Sequence, residues 1–206
     1  MKSKPLQSFL DAVRADHRSL EDFQGRYPSD RTSAGSLVAA GIERIGFQML
    51  IAVRLMHLLR DLRIPFAKQF VCRLIRHLYG AEIHWDAQIA PGITLVHGNG
   101  LVVAHTAKIG PGCLIFQGVT LGESFSSATG TVGSPVLGRN VHVMPNAVLI
   151  GPISVGDNTK IMSGVTLTES VEANCVVKSA VPEILHRSPN ETKPPGHLES
   201  EKATLS

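Results

Sequence analysis

Residues 81–123, AEIHWDAQIAPGITLVHGNGLVVAHTAKIGPGCLIFQGVTLGE, decide the fold. Within them an aliphatic or small residue returns at every sixth position: Ile83, Ile89, Leu95, Leu101, Ala107, Cys113 and Val119. The spacing resumes downstream with Leu137, Val143, Leu149, Val155, Ile161 and Leu167. A sixfold spacing matches neither the turn of a helix nor the alternation of a flat strand; it describes short strands joined by corners, coil stacked on coil. Gly and Pro fall between the apolar positions, as in Ala90-Pro91-Gly92, Gly110-Pro111-Gly112 and Gly151-Pro152, where a corner needs an unusual backbone angle or a fixed one. The expected fold is a hexapeptide-repeat β-solenoid.

Upstream, Leu6, Phe9, Leu10, Val13, Leu20 and Phe23 share one face of a helix over residues 5–24. Residues 37–63 and 66–78 read as two further helices split by Pro65, and Tyr79-Gly80 ends the helical region. Three parts follow: a helical domain over 1–79, the solenoid over 80–185, and a flexible polar tail over 186–206 carrying Pro189, Pro194 and Pro195. Residues 123–135, rich in Gly, Ser and Thr, interrupt the period and must leave the coil as an external loop. A solenoid of about five coils has open ends and flat faces, so helices capping one end and self-association covering a face are expected.

The chain has 206 residues, and a hydrophobic content of 43% is ample for a packed core. Cys72, Cys113 and Cys175 are far apart and odd in number, which argues for a reducing, cytoplasmic compartment rather than a disulfide framework. No signal peptide or membrane span is read from the sequence. A net charge of +3 with 5% aromatics leaves no stacking platform beside a basic stripe, which points away from nucleic acid.

His97 lies between Val96 and Gly98, with Asn99 and Gly100 following, in a repeat whose inward residues are Leu95 and Leu101. It therefore faces outward, beside Gly98 and Gly100, which lie on either side of Asn99 and admit a ligand or a neighbouring chain. A neutral imidazole is the natural base for a hydroxyl near neutral pH; an inert surface histidine is the bland reading. A coil of eighteen residues would place Glu82 one layer below His97 and near the same corner. There a carboxylate can hold the imidazole tautomer, or can equally be a solvated turn residue. His84, His105 and His142 invite a metal reading, but their spacing is irregular and no metal is expected.

The run over 81–123 resembles the serine acetyltransferases, a branch of the hexapeptide-repeat, left-handed β-helix acyltransferases. Gly46–Leu59, GFQMLIAVRLMHLL, is similar to that family's last helix before the solenoid, and LTESVEANCVVKSAVPEIL is similar to its closing coil. The resemblance implies a left-handed solenoid and an acetyl-CoA-dependent O-acetyltransferase. It implies His97 as the general base, Glu82 as its supporting acid, and acetyl-CoA as co-substrate against Gly122, Pro145 and Ser163, with Lys178 standing where many relatives have alanine and expected to grip the CoA tail differently. It also implies a homotrimer, or two trimers paired as a hexamer, with the groove between prisms completing each site. Asp30 aligns with an acid that contacts the acceptor, and Ser134 falls within the acceptor-binding loop.

The departures concern the acceptor. The family's aspartate before the histidine is Val96, and its Arg-His pair in the loop is Gly133-Ser134. An arginine fork grips a carboxylate through two parallel bonds, which neither Gly nor Ser replaces. The expected acceptor is a small hydroxyl compound, serine-like or a sugar, with free serine the less favoured. Two other classes stay open: a non-catalytic solenoid scaffold, and a metal-dependent hydratase of the carbonic-anhydrase type. The arginines scattered over residues 37–78 suit either packing between elements or an anionic membrane surface.

Overall fold

The computed structural model describes residues 5–26, 37–126 and 130–180. Asp30 and the tail from residue 186 lie outside the described residues. Among the described residues, four helices lead into the solenoid: α1 (Pro5–Arg26), α2 (Leu37–Glu43), α3 (Ile45–Asp61) and α4 (Ala67–Tyr79). Short strands then wind through three parallel sheets. The first sheet stacks β1 (Glu82–Ile83), β4 (Val102–Val103), β7 (Thr120–Gly122), β12 (Val148–Ile150) and β15 (Thr166–Leu167). The second stacks β2 (Gln88–Ile89), β5 (Lys108–Ile109), β10 (Val136–Leu137) and β13 (Ser154–Val155). The third stacks β3 (Thr94–Val96), β6 (Leu114–Phe116), β11 (His142–Val143), β14 (Lys160–Ile161) and β16 (Val176–Val177). Outside the stack, β8 (Ser124–Ser126) and β9 (Thr131–Gly133) pair antiparallel as a hairpin inside the expected external loop.

The period-six residues form the interior as expected: all thirteen are buried, from fully in Ala107, Cys113 and Val119 to 9% exposed in Leu167. Each such aliphatic side chain contributes about 1.5–3 kcal/mol by leaving water. Burial also pushes the Cys113 thiol up to about 11, so it serves as a small core residue.

The coils are not all of one length. Ile83 stacks under Val103, twenty residues on, and Leu137 under Val155, eighteen on. The external loop stretches one coil, so that Ile109 stacks under Leu137, and the closing coil is short, with Ile161 under Val177. The excess in the first coil falls at one corner, between β3 and β4. Each hexapeptide buries two residues, a corner residue and a strand residue two positions later, as in Ala107 with Ile109 and Cys113 with Ile115. Counting in sixes across the long corner passes from the strand set (Ile83, Ile89, Leu95) to the corner set (Leu101, Ala107, Cys113). Both sets are buried, so the slip is silent in the hydrophobic pattern. The eighteen-residue expectation for this coil is thereby corrected to twenty, and Glu82 lies under Val102.

The helices cap the first coil. Val71 and Ile75 of α4 and Met49, Val53 and Met56 of α3 share one core with Ile83 and Leu95. Gly80 ends α4 at φ 61, its N–H donating to the Arg76 carbonyl at 3.0 Å, a left-handed cap that glycine adopts without strain. The single helix expected over 37–63 is two, broken at Arg44, whose φ of −110° and ψ of 101° are extended. Close approach to the solenoid accompanies the break: at Gly46 a side chain would collide with the Leu95 carbonyl. Further along α3, the thioether end of Met49 covers Gly98, so that an added methyl group there would have to displace it.

A buried ion pair ties three parts together. Arg54 of α3 donates from Nε to Asp16 Oδ2 at 2.8 Å and from Nη2 to Oδ1 at 3.1 Å. The same guanidinium donates to the carbonyls of Ile89 and Ala90, while Asp16 accepts from the Gly92 N–H at 2.8 Å. Arg54 thus serves packing, with hydrogen bonds from all three of its guanidinium nitrogens.

Candidate active site

His97 occupies the long corner and carries its strain. Its φ is 66°, followed by Gly98 at 80° and Gly100 at 69°. A non-glycine residue in the left-handed region costs about 1 kcal/mol or more, and such residues gather at functional sites. The side chain is exposed at the edge of a cavity of about 140 Å³ between the helices and the solenoid. Leu20 and Phe23 of α1, Glu43 and Arg44 at the α2–α3 break, Phe47 of α3, and Thr94 and Val96 of β3 line it with His97. The cavity is smaller than the pockets that usually enclose a nucleotide-sized ligand.

The walls are fixed from behind. Thr94 is held by the Ser19 hydroxyl at 2.8 Å, and the Phe23 ring meets Phe116 edge-on with centroids 6.4 Å apart. With its amide oxygen turned toward α3, Gln24 accepts from Arg44 Nη2 at 3.0 Å, which fixes the guanidinium at the cavity rim.

The residues named from sequence fall on two edges of the first sheet. One edge is the corner column that leads from the third sheet into the first. His97 is its first rung, Gln117 its second, Pro145 its third and Ser163 its fourth, while Lys178, which follows β16, lies one residue before the fifth rung, in line with Val96. Backbone bonds hold the column: Asn146 N–H donates to the Gln117 carbonyl and Gly164 N–H to the Pro145 carbonyl, both at 3.0 Å. Gly122 and Ser134 lie on the opposite edge, across a strand of three residues or about 10 Å.

Ser134 is 4% exposed and bonded to Thr106 at 2.7 Å. Thr106 donates to Glu123 at 3.3 Å, and Glu123 lies 3.0 Å from His105 Nδ1. This network pins both ends of the external hairpin, so the Ser134 hydroxyl is engaged within the chain. Glu82 begins β1 just below the long corner, and its carboxylate faces Arg76 at 3.5 Å. Among the described residues, no hydrogen bond or ion pair joins it to His97.

Two features escaped the sequence reading. The Gln117 side-chain oxygen is fully buried without a hydrogen-bond partner, one rung above His97. Glu43 and Arg44 reach the cavity only because the helix breaks there. Gly46 was the available signal, since a glycine inside a helical pattern marks close approach. Of the histidines considered for a metal, His84 and His105 meet edge to face with ring centroids 5.5 Å apart. Among the described residues, no group of three or more His, Cys, Asp or Glu is arranged to hold an ion.

Comparison with known proteins agrees with this architecture. Residues 134–169 match the family model described as bacterial transferase hexapeptide (six repeats). A serine acetyltransferase of Helicobacter pylori is 36% identical over 140 residues, covering 66% of this chain and 73% of the relative. One from Synechococcus elongatus is 36% identical over 152 residues, or 74% of this chain, which spans 62% of that relative's length. The crystal structure of Neisseria gonorrhoeae serine acetyltransferase in complex with serine is similar at a TM-score of 0.72 and 25% identity, over 84% of this chain and 68% of that one. With three-sheet coils, capping helices and a relative matched over most of its length, the chain belongs to the serine acetyltransferase family of hexapeptide-repeat proteins.

Proposed function

We propose that the chain is an acetyl-CoA-dependent O-acetyltransferase with His97 as its general base. The observation that carries this reading is the position of His97, strained into the left-handed region at the one lengthened corner and at the rim of the cavity. The imidazole takes the hydroxyl proton as the acceptor oxygen attacks the thioester carbonyl. The carbon–sulfur bond then breaks, and the imidazolium returns the proton to the departing thiolate, leaving an acetyl ester and free CoA. Glu82 is the carboxylate proposed to stabilise the imidazolium. Its pair with Arg76 joins two side chains more than half exposed, so little is lost in turning toward His97.

The column of Pro145 and Ser163 above His97, with Lys178 one residue before its next rung, offers a straight path for the pantetheine arm. Gly122, on the other edge of the sheet, joins that path only if a second prism lays its edge against the first. This supports a homotrimer in which each site is shared. The acceptor is a small hydroxyl compound or a sugar rather than free serine, because Val96 and the engaged Ser134 leave no carboxylate clamp where the resemblance would put one.

Thiol release from acetyl-CoA with serine, homoserine and nucleotide sugars tests the reading. His97→Ala is expected to lose about 100-fold to 10,000-fold in turnover while acetyl-CoA still binds. Full activity in that variant removes the mechanism, and rapid turnover of serine alone removes the acceptor assignment.

A further inference from the structure

The turn and helix over residues 62–78 keep large apolar side chains in water. Phe66 is 80% exposed, Phe70 67% and Leu78 63%, with Leu62, Ile64 and Leu74 exposed beside them. Phe70, Leu74 and Leu78 recur every fourth residue and form one strip on α4, whose other side buries Val71 and Ile75 against the first coil. The turn that precedes the helix is strained, with Arg63 at φ 56 and Phe66 at φ 62, and it holds the Phe66 ring away from the core. A contiguous apolar face of this kind on a well-packed domain marks an interaction surface.

Charge decides what covers it. Residues 60–79 carry Arg60, Arg63, Lys68, Arg73 and Arg76, of which Arg60 binds Asp61 at 3.0 Å and Arg76 faces Glu82 at 3.5 Å, so positive charge remains in excess. Laid against the same face of a second copy it would bring like charge against like charge, which opposes pairing of the face with itself. An anionic lipid surface reverses the sign, attracting each cation while the apolar strip enters the headgroup boundary. With thirteen residues α4 is too short to cross a bilayer, and no described helix is long and apolar enough to do so, so the geometry is that of a helix lying in the interface. We propose that the Leu62–Leu78 face docks the protein on an anionic membrane surface.

The test is co-sedimentation of the full chain with vesicles of phosphatidylcholine alone or mixed with phosphatidylglycerol, at low and high salt. The expected result is binding to the mixed vesicles only, weakened at least about tenfold by high salt, by Arg63→Glu with Arg73→Glu, and by Phe66→Ser with Phe70→Ser. These side chains are exposed, and unchanged circular dichroism and sedimentation of the variants in solution confirm the fold. Failure to bind mixed vesicles, or equal binding by the serine variant, overturns the proposal. So does a lower oligomeric state in the serine variant without any vesicle binding, which would make the face a contact between copies.

Discussion

Gly46 lies so close to the carbonyl of Leu95 that not even a methyl group fits between α3 and β3. This backbone-to-backbone contact sets the distance from the helix break to β3, the strand that leads into His97, and with it the width of the cavity. Gly46→Ala cannot be absorbed by a flexible side chain. It is expected to cost about 1–3 kcal/mol as the helix is pushed outward. Urea unfolding of the variant measures that cost, and a stability equal to the parent chain would contradict the contact.

Asp16 and Arg54 stand at the junction of α1, α3 and the first solenoid corner. Asp16→Ala leaves a buried guanidinium without its partner and is expected to destabilise the fold by about 3–5 kcal/mol. Replacing both, with Asp16→Leu and Arg54→Met, removes the stranded charge and should recover most of that loss. The double-mutant cycle in urea checks this, and simple additivity would show that the pair is not coupled.

His57 gives the fold a pH dependence of definite sign. Burial, then Arg60 and Arg54, lowers its pKa from 6.5 to about 4, and its Nε2 is buried without a partner. The imidazole is neutral in the fold and gains a proton more readily once unfolded. Its contribution is complete above the unfolded value of 6.5 and is lost as pH falls toward 4. The two values correspond to about 3 kcal/mol. Stability measured from pH 7 down to 4 should fall more steeply in the parent than in His57→Leu; parallel curves would rule out the effect.

Gln117 carries a buried carbonyl with nothing to bond, one rung above His97. Gln117→Leu removes an unsatisfied group and is expected to leave stability equal or higher, by up to about 1–3 kcal/mol. If the carbonyl awaits a donor from a bound substrate, the same variant should lose turnover. Thermal unfolding and initial rates, measured together, separate the two effects; unchanged rates would leave the group without a role in turnover.

Much of the fold was legible because burial and periodicity are one-dimensional signals. Leu137, Val143 and Leu149 announce their own inward direction, and Pro65 announces a helix boundary. The lengthened corner was hidden because both residues of each buried pair are apolar, so a slip from Ile89 to Ala107 leaves no polar residue out of place. The partner of Arg54 lies 38 residues away on another helix, and no local pattern foretells it. Likewise, His97 could be named from its glycines, whereas Arg44 enters the cavity through a helix break set by tertiary contact. The assignment of Pro145 and Gly122 to opposite edges of a sheet required the registers of several stacked strands.

The lengthened corner also says something about how such a chain can change. Two additional residues at the His97 bend are absorbed locally, and the next strand rejoins the stack with its buried side chain still pointing inward, as Val103 does above Ile83. The hairpin at Ser124–Gly133 is accommodated in the same manner, as Leu137 returns above Ile109. Bends therefore act as exchangeable cassettes on a regular spine, so chemistry at the rim can be rewritten by trimming or lengthening a bend without redesigning the interior.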